Sequence, residues 1–380
     1  MFPKLKSQFM LDPETIFLNH GSFGACAKPM YENLIAWQKK LEKEPVKFFE
    51  ETIFNALTKS RKALGNYVNC HEDDLVYFPN PTTAINAVAR SLKLEPGDEV
   101  LSTNHIYGAL DRSWNYICKE KKTKFVKAKI NLPINSKDEF LKCFLNSVTK
   151  NTKVIFLSHI TSMTAMRFPV KEVIEFSKRN GILSIIDGAH VPGHIPLDLK
   201  KLDPDIYTGA CHKWMCTPKG ISFLYVKKEL QENVHPLVIS WGWESDDPGK
   251  SKFLDWHEWQ GTRDMSAFLT IPTAIEFLKK HDWPKLAIEC QKKVVELRNQ
   301  FISHLKITPL CPDDWLGQMA SIPLPIDNED TFKKQLFTKY KIQVPVFKWE
   351  ENIFLRYSIQ VYNSNDDLEK LLNAVKELLN

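Results

Sequence analysis

The amino-acid sequence predicts an α/β protein built on a mostly parallel β-sheet. Through the middle of the chain, short runs of β-branched and aromatic residues alternate with amphipathic stretches. The length of 380 residues is enough for about two domains. Hydrophobic residues make up 43% and charged residues 26%, which is the composition of an ordinary globular protein.

Seven segments have the composition of strands, and helical periodicity separates them. The predicted strands are residues 74–78, 98–103, 124–130, 153–159, 182–187, 205–209 and 221–226, and the predicted helices are residues 82–92, 110–120, 139–149 and 170–181. After about residue 265 an interrupted helical stretch precedes short strands and a helix, predicted at residues 319–324, 342–347, 353–358 and 366–379. We therefore expect an N-terminal segment (1–40), a large domain (41–264) and a smaller C-terminal α+β domain (265–380).

Composition argues against several classes of function. The formal net charge of +5 is spread along the chain without a block of like charges, so we expect no nucleic-acid partner. The eight cysteines are scattered, with neither a CxxC pair nor zinc-like spacing, so we expect no metal and no disulfide framework. No apolar run approaches a membrane span, and the N-terminus is a poor signal peptide. These features favour a cytoplasmic protein with free thiols and no membrane partner.

The most informative stretches are ILSIIDGAHVPG and DIYTGACHKW, in which Asp187 and Lys213 follow apolar runs. Both residues are expected at the carboxyl ends of strands, where open α/β sheets bind ligands. Alone, Asp187 would be read as a turn cap and Lys213 as a surface residue. Together they are the two groups that pyridoxal 5'-phosphate chemistry requires: an amine that forms an imine, and an acid that keeps the pyridine nitrogen protonated.

A third stretch, YFPNPTTAINAVARSL, predicts a site for a phosphate. A strand passes through Asn80 and Pro81 directly into a helix, with Thr82 and Thr83 in its first turn. Backbone N–H groups and the positive end of the helix dipole favour an anion there. Threonine is also a routine helix cap, so this signal is weak without the other two stretches.

Eight motifs stand in the same order as in a known family: NPTTAINAV, NHIYGA, SHITSMTA, DGAHVPG, ACHKW, WQGTRD, VPVFKW and LRYSIQVYN. In them the chain resembles the class V aminotransferase family of fold-type I pyridoxal phosphate enzymes. Within that family it is most similar to the isopenicillin N epimerase-like group, which includes hercynylcysteine sulfoxide lyases. The resemblance begins at residue 17 and reaches the last helix. It implies an amino-acid substrate and a homodimer that shares its active sites at the subunit interface.

The resemblance also implies a role for each matching residue. Lys213 would carry the cofactor as a Schiff base and Asp187 would pair with the ring nitrogen. Tyr107 would lie over the ring, with His105 as the alternative. The other residues implied to bind the cofactor are His190, Thr82, Thr83, Ser162, Thr208 and His212, together with Thr262 and Arg263, which would reach the phosphate in the neighbouring subunit. The residues implied to bind the substrate are Arg356, whose forked guanidinium suits an α-carboxylate, and Asn19, His20, Ser22 and Phe23.

Two departures from the family pattern bear on function. Ala210 stands where many relatives have Ser or Asn, so the phosphate would depend more on Thr208, Thr82 and the partner subunit. Cysteine desulfurases of this class carry a persulfide-forming cysteine upstream of the carboxylate-binding arginine. Between Cys311 and Arg356 this chain has no cysteine, which excludes a persulfide relay through that segment.

The sequence leaves the reaction open. Once Lys213 has removed the Cα proton, β-elimination, epimerisation or transamination can follow. We expect a C–S lyase acting on a cysteine conjugate or sulfoxide, because elimination needs no second acid. The alternatives are an amino-acid epimerase using Tyr107 or His105, and then an aminotransferase. A catalytically idle pyridoxal phosphate-binding protein would have no need of the carboxylate clamp Arg356, and a nicotinamide dehydrogenase would need a GxGxxG motif that is missing after the first strand.

Overall fold

The computed structural model describes residues 3–379. In this range the strands are β1 (Ile16–Phe17), β2 (Leu75–Phe78), β3 (Glu99–Thr103), β4 (Lys124–Ala128), β5 (Thr152–Ser158), β6 (Leu183–Gly188), β7 (Ile206–Ala210), β8 (Ser222–Val226), β9 (Met319–Leu324), β10 (Ile342–Gln343), β11 (Val346–Trp349) and β12 (Asn352–Ser358). The longer helices are Lys28–Lys43, Ile53–Val68, Pro81–Ser91, Gly108–Glu120, Lys137–Leu145, Val170–Arg179, Ile271–Lys280, Trp283–Leu305, Glu329–Tyr340 and Asn365–Leu379.

A seven-stranded sheet forms the centre of the molecule, in the order β2-β8-β7-β6-β5-β3-β4. Strand β8 runs antiparallel to both of its neighbours, and the other pairings are parallel. The prediction of a mostly parallel mixed sheet is confirmed. All residues of β2, β3, β7 and β8 are buried. Burial on both faces explains why these strands lack the regular alternation of apolar and polar residues that a half-exposed strand shows.

The carboxyl edge of this sheet brings the chemistry-bearing residues together. Asp187 is the fifth residue of β6, and Lys213 follows β7 by three residues. In the register of the two strands, Asp187 stands opposite Thr208. Asn80 follows β2 at the same edge and caps the helix Pro81–Ser91. This is the edge at which open α/β sheets bind their ligands.

The C-terminal region contains a three-stranded antiparallel sheet in the order β11-β12-β9. The single strand predicted at 342–347 is wrong, because the structure divides it into β10 and β11. Strand β10 pairs in parallel with β1, whereas β11 pairs with β12. Pro345, which lies between them, has no N–H to donate to a sheet. The β1–β10 pairing attaches the N-terminal segment to the C-terminal region.

The described residues were also compared with the requirements of a membrane span and of a metal site. Among residues 3–379, none of the helices has the length and apolar character that a bilayer crossing requires. The same residues contain no group of three or more His, Cys, Asp or Glu side chains arranged to hold a metal ion.

Candidate active site

Lys213 lies half-buried at the carboxyl edge of the sheet, three residues beyond the end of β7. Its Nζ atom is 3.2 Å from Nε2 of His190. Burial lowers the pKa of Lys213 to about 8; the positive charge of Arg356 acts in the same direction, and Asp187 opposes it. About a tenth of the amine is therefore unprotonated at pH 7, far more than for an ordinary lysine, and the unprotonated form is the one that acts as nucleophile or base.

Asp187 is 4% exposed and has few partners for a buried carboxylate. Its Oδ1 accepts a hydrogen bond from the backbone N–H of Ala189 at 3.0 Å, and the Ser158 hydroxyl also hydrogen-bonds to it. Burial raises the pKa of Asp187, and the Ala189 N–H, Lys213 and Ser158 oppose that rise. A protonated ring nitrogen would stabilise this carboxylate. Sequence reasoning missed Ser158, although its position at the end of β5 matches the position of Asp187 in β6.

Arg356 is a buried cation whose hydrogen-bond partners are all neutral. Nη1 donates to the carbonyl oxygen of Ser162 at 2.5 Å and faces its hydroxyl at 3.2 Å, while Nη2 donates to the hydroxyl of Ser22 at 2.7 Å. Its Nε has no partner among residues 3–379. Burial lowers the pKa of Arg356 to about 10, and Tyr107 opposes this shift. An unpaired buried donor on a cation without a counter-ion suits an anionic ligand.

The predicted phosphate site is formed at the start of the helix Pro81–Ser91. Asn80 Oδ1 accepts hydrogen bonds from the backbone N–H of Thr83 at 2.9 Å and from its hydroxyl at 3.0 Å. The Thr83 hydroxyl is therefore used in the cap itself. Thr82 stands beside it, half-buried, at the positive end of the helix, with its backbone N–H in the first turn. Thr82 is thus better placed than Thr83 to donate a side-chain hydrogen bond to a phosphate.

The N-terminal segment packs directly against the backbone of Lys213. Gly24 has a φ of +70°, and a Cβ atom there would lie 2.1 Å from the carbonyl oxygen of His212, so this position requires glycine. His20 is fully buried; its Nε2 donates to the Lys213 carbonyl at 3.0 Å, and its Nδ1 lies 2.8 Å from the Tyr362 hydroxyl. His20 therefore contacts the backbone of Lys213, and its ring is enclosed within the fold. The family resemblance had instead implied that His20 lines the substrate pocket.

The other predicted residues of this segment differ in accessibility. Phe23 is 71% exposed, whereas the Oδ1 atom of Asn19 is buried without a hydrogen-bond partner among the residues described. Ser22 lies between them in sequence and contacts Arg356. Of the four residues expected to wall the substrate pocket, the structure places Ser22 in direct contact with the predicted carboxylate-binding side chain.

The structure separates the two candidates for the residue that lies over the ring. His105 is fully buried; Nε2 donates to the Ile130 carbonyl at 2.9 Å and Nδ1 lies 2.9 Å from the Thr164 hydroxyl. Both of its nitrogens are therefore engaged within the fold. Tyr107 is 43% exposed and electrostatically coupled to Arg356. Tyr107 is the accessible member of the pair.

Two predicted cofactor contacts use their side chains within the sheet. Thr208 is fully buried, and its hydroxyl donates to the carbonyl of Phe223 at 2.8 Å. His212 donates through Nδ1 to the carbonyl of Ile221 at 2.9 Å, and burial lowers its pKa to about 4. Both residues hold β7 and the following turn against β8. Neither donor hydrogen is free for a ligand in this arrangement.

Thr262 and Arg263 lie among aromatic side chains. Thr262 lines a separate surface cavity of about 750 Å³ with Trp241 and Trp259. Arg263 lies 5.5 Å from the ring centroid of Phe268, and its Nε is buried without a partner in the described part of the chain.

A mostly parallel α/β sheet with a buried amine, a buried carboxylate and a capped helix start at its carboxyl edge defines a fold-type I pyridoxal phosphate enzyme. The donor set fits the cofactor: an amine for the aldehyde, an acid for the ring nitrogen and a helix N-terminus for the phosphate. The family model described as Aminotransferase class-V matches residues 44–371. The chain belongs to this family and is a pyridoxal phosphate-dependent enzyme, as the sequence predicted.

The chain is similar to individual members of this family in sequence and to a solved structure in fold. Isopenicillin N epimerase of Amycolatopsis lactamdurans is 27% identical over 388 residues, covering 98% of this chain and 97% of the relative. An L-cysteine desulfhydrase of Arabidopsis thaliana is 26% identical over 402 residues, covering 95% of this chain and 87% of the relative. The apo structure of a cysteine desulfurase from Thermococcus onnurineus NA1 superposes with a TM-score of 0.86 at 18% identity, covering 100% of this chain and 98% of the other, and shows the same fold.

Proposed function

We propose that the protein is a C–S lyase that eliminates a sulfur leaving group from Cβ of a cysteine conjugate or sulfoxide. The observation that carries this proposal is the pairing of Lys213, whose pKa is lowered to about 8, with a buried Arg356 that has no counter-ion in the described chain. One group removes a proton from Cα and the other holds the α-carboxylate. Elimination needs no further acid or base from the protein.

The residues divide the reaction between them. Arg356 binds the α-carboxylate through its guanidinium and so positions Cα above the Lys213 amine. When bound, the cofactor supplies the electron sink that makes the Cα proton acidic. Lys213 Nζ takes that proton while Asp187 keeps the ring nitrogen protonated. The electron pair of the broken Cα–H bond expels the sulfur from Cβ as a thiolate or sulfenate anion, which takes up a proton from water. Addition of water to the remaining enamine gives a 2-oxo acid and ammonia.

The cysteines support a lyase over a persulfide relay. Cys211 and Cys216 flank Lys213 but are fully buried, and burial raises the pKa of each thiol far above neutral. Such thiols stay protonated and are poor nucleophiles. Cys143 is exposed and lies on the helix Lys137–Leu145, outside the segment between Cys311 and Arg356. The cysteine desulfurase is therefore a guide to the fold and not to the sulfur chemistry.

An epimerase is the second candidate. The relative from Amycolatopsis lactamdurans is named for that reaction. Epimerisation requires a proton donor on the face of Cα opposite the base, and Tyr107 is 43% exposed near Arg356. His105 cannot take this part while both of its ring nitrogens are engaged. The epimerase reading therefore depends on Tyr107, whereas elimination does not.

One screen distinguishes these reactions. The purified enzyme is incubated with L-cysteine, S-substituted cysteines, their sulfoxides, and D- and L-amino acids without a sulfur. A 2-oxo acid, the released sulfur species and the chirality at Cα are then measured in each reaction. The lyase predicts equal amounts of 2-oxo acid and sulfur product from a cysteine derivative. Inversion at Cα without cleavage of any carbon–sulfur bond would reject it.

We also propose that the protein is a homodimer in which Thr262 and Arg263 complete the phosphate site of the partner subunit. Three features support this proposal: the exposed Thr262 lines an open cavity, the Arg263 Nε has no described partner, and neighbouring apolar side chains are exposed. The exposed apolar residues are Trp241 at 83%, Val46 at 67% and Ile239 at 62%. Solvent exposure of this much apolar surface is unusual for a monomer.

The proposed division at about residue 264 has structural support. The seven-stranded sheet lies within 75–226 and the three-stranded sheet within 319–358. Limited proteolysis that first cuts elsewhere would argue against boundaries of 1–40, 41–264 and 265–380.

We further propose a cytoplasmic location, since all eight cysteines are free thiols. Cell fractionation followed by immunoblotting tests this location.

A further inference from the structure

Three side chains form a hydrogen-bonded row that ends at the reactive amine. Trp214 Nε1 lies 3.3 Å from His190 Nδ1, and His190 Nε2 lies 3.2 Å from Lys213 Nζ. Trp214 is fully buried and His190 is 3% exposed. The indole nitrogen of a tryptophan only donates, whereas an imidazole nitrogen donates or accepts according to its tautomer. In the first hydrogen bond of the row, Trp214 Nε1 is therefore the donor and His190 Nδ1 is the acceptor.

From this row we infer that Trp214 is a positioning residue that selects the tautomer of His190. Because His190 Nδ1 must accept from the indole, the proton of the neutral imidazole lies on Nε2. That N–H points at Lys213 Nζ, where only the lone pair of an unprotonated amine accepts it. Burial, reinforced by the charges of Lys213 and Arg356, lowers the pKa of His190 well below its ordinary value, so the ring is neutral. Trp214 thus favours the free-base form of Lys213.

A second histidine holds the row in place. His194 stacks on Trp214 with ring centroids 3.9 Å apart and an interplanar angle of 26°. Its Nδ1 donates to the His190 carbonyl at 2.8 Å, and its Nε2 accepts from the backbone N–H of Gln318. His194 is therefore also committed to one tautomer. Rotation of the indole away from His190 would leave a buried N–H unpaired, which costs about 1–3 kcal/mol in proteins.

Several charged or titratable groups face the same amine. Asp187 raises the pKa of Lys213 and Arg356 lowers it, while His212 is next to it in sequence and buried in its neutral form. His190 adds a hydrogen-bond donor to this set. Without Trp214 the ring of His190 is free to adopt the other tautomer, in which Nε2 accepts from a protonated amine. The pKa of Lys213 should then rise. The importance of this shift for catalysis rests on the proposed role of Lys213, but the tautomer itself does not.

The first test uses the unmodified apoenzyme. With ¹⁵N-labelled histidine, long-range proton–nitrogen correlation spectra distinguish the protonated from the unprotonated ring nitrogen, and the His190→Asn variant identifies the His190 signals. We expect a protonated Nε2 and an unprotonated Nδ1 at neutral pH. A protonated Nδ1 would overturn the inference. This measurement involves neither cofactor nor substrate, so it stands whether or not the protein is a C–S lyase.

The second test compares two tryptophan variants. Trp214→Phe keeps the stacking on His194 and removes the donor. Trp283→Phe is the matched control, because its indole donates to the Gly193 carbonyl at 2.9 Å and does not reach His190. The pH dependence of Lys213 alkylation is measured by mass spectrometry in each apoenzyme. We expect Trp214→Phe to raise the inflection by about one pH unit, the size of one neutral hydrogen bond, and Trp283→Phe to leave it in place. Equal inflections in all three proteins would overturn the inference, and if Trp214→Phe does not fold, the NMR result decides.

Discussion

The Nη2 atom of Arg356 donates a hydrogen bond to the Ser22 hydroxyl at 2.7 Å, across 334 residues of sequence. This contact brings the short helix His20–Phe23, which follows β1, against β12. The opposite arm of the guanidinium is held by Ser162. The arginine is thereby oriented by neutral groups while its charge stays available for an anion.

We expect Arg356→Ala to lower kcat/KM by about 100-fold and to leave cofactor occupancy unchanged. The physical reason is the loss of charge-assisted hydrogen bonds to the carboxylate, worth up to about 3 kcal/mol. Ser22→Ala is the graded companion variant and should cost only about five-fold, because one hydrogen bond that orients the guanidinium is lost while its charge remains. Steady-state kinetics and the cofactor absorbance are measured side by side. A parallel loss of cofactor in Arg356→Ala would show that the residue acts on the cofactor and not on the substrate.

Borohydride treatment of the holoenzyme should attach the cofactor to Lys213 and not to Lys219. The two lysines are only six residues apart, but Lys219 is exposed and donates to the Gly24 carbonyl at 3.2 Å, whereas Lys213 is half-buried and interacts electrostatically with Asp187. Peptide mapping by mass spectrometry locates the label. Lys213→Ala should abolish the label, whereas Lys219→Ala should retain it. A label on Lys219 would mean that the Schiff base has been assigned to the wrong lysine.

Tyr107→Phe separates elimination from epimerisation, because it keeps the aromatic surface and removes the hydroxyl proton. A lyase should retain at least about a third of its activity, since Lys213 supplies the base and the sulfur leaves without help from Tyr107. An epimerase would still exchange the Cα hydrogen with solvent but would racemise poorly. Deuterium incorporation and chiral analysis are measured on the same samples. Loss of elimination by more than about 100-fold would give Tyr107 a role that the lyase mechanism does not include.

Mixing two inactive variants tests the shared active site. If Arg263 serves the partner subunit, a hybrid dimer of Lys213→Ala and Arg263→Ala has one intact site, because both defects fall on the other. Activity should recover to about a quarter of the wild-type value when half of the dimers are hybrids and each has one working site. The variants are refolded together, and each variant refolded alone is the control. No recovery, with a monomer observed by light scattering, would reject the dimer.

Acid should destabilise the apoprotein before its carboxylates titrate. Burial lowers the pKa of His20, His159 and His194 to about 3 and that of His105 and His257 to about 4. Unfolded histidines titrate near 6.5, so the unfolded chain takes up protons first as the pH falls. The free energy of unfolding should drop by about 1 kcal/mol per buried histidine between pH 6.5 and 5.5.

Urea unfolding at several pH values measures this slope. His257→Gln should reduce the slope, since His257 is fully buried and its Nε2 donates to the Val234 carbonyl. The matched control is His71→Gln. The His71 side chain is 64% exposed, so this variant should not affect the slope. A stability that does not change between pH 6.5 and 5.5 would contradict the prediction.

Much of this protein was determined by local sequence. The strands of the central sheet are short apolar runs, and the helix after β2 begins at an Asn-Pro pair, because Asn80 caps it and Pro81 has no N–H to lose. These signals placed Asp187 and Lys213 at one edge of the sheet without any knowledge of distant contacts. The same reasoning failed at 342–347, where Pro345 divides a continuous apolar run between two partners.

Only the tertiary structure decided how the site is assembled. Arg356 reaches Ser162 across 194 residues, and Trp214 donates to His190 across 24. The burial of His105 and His20 could not be predicted from the sequence either. A histidine can bind a ligand when it is exposed and can donate a hydrogen bond within the core when it is buried. Local sequence specifies backbone geometry and periodicity through forces that act over a few residues. Orientation, tautomer and pKa depend on which distant groups share a desolvated pocket, and only the folded chain determines that.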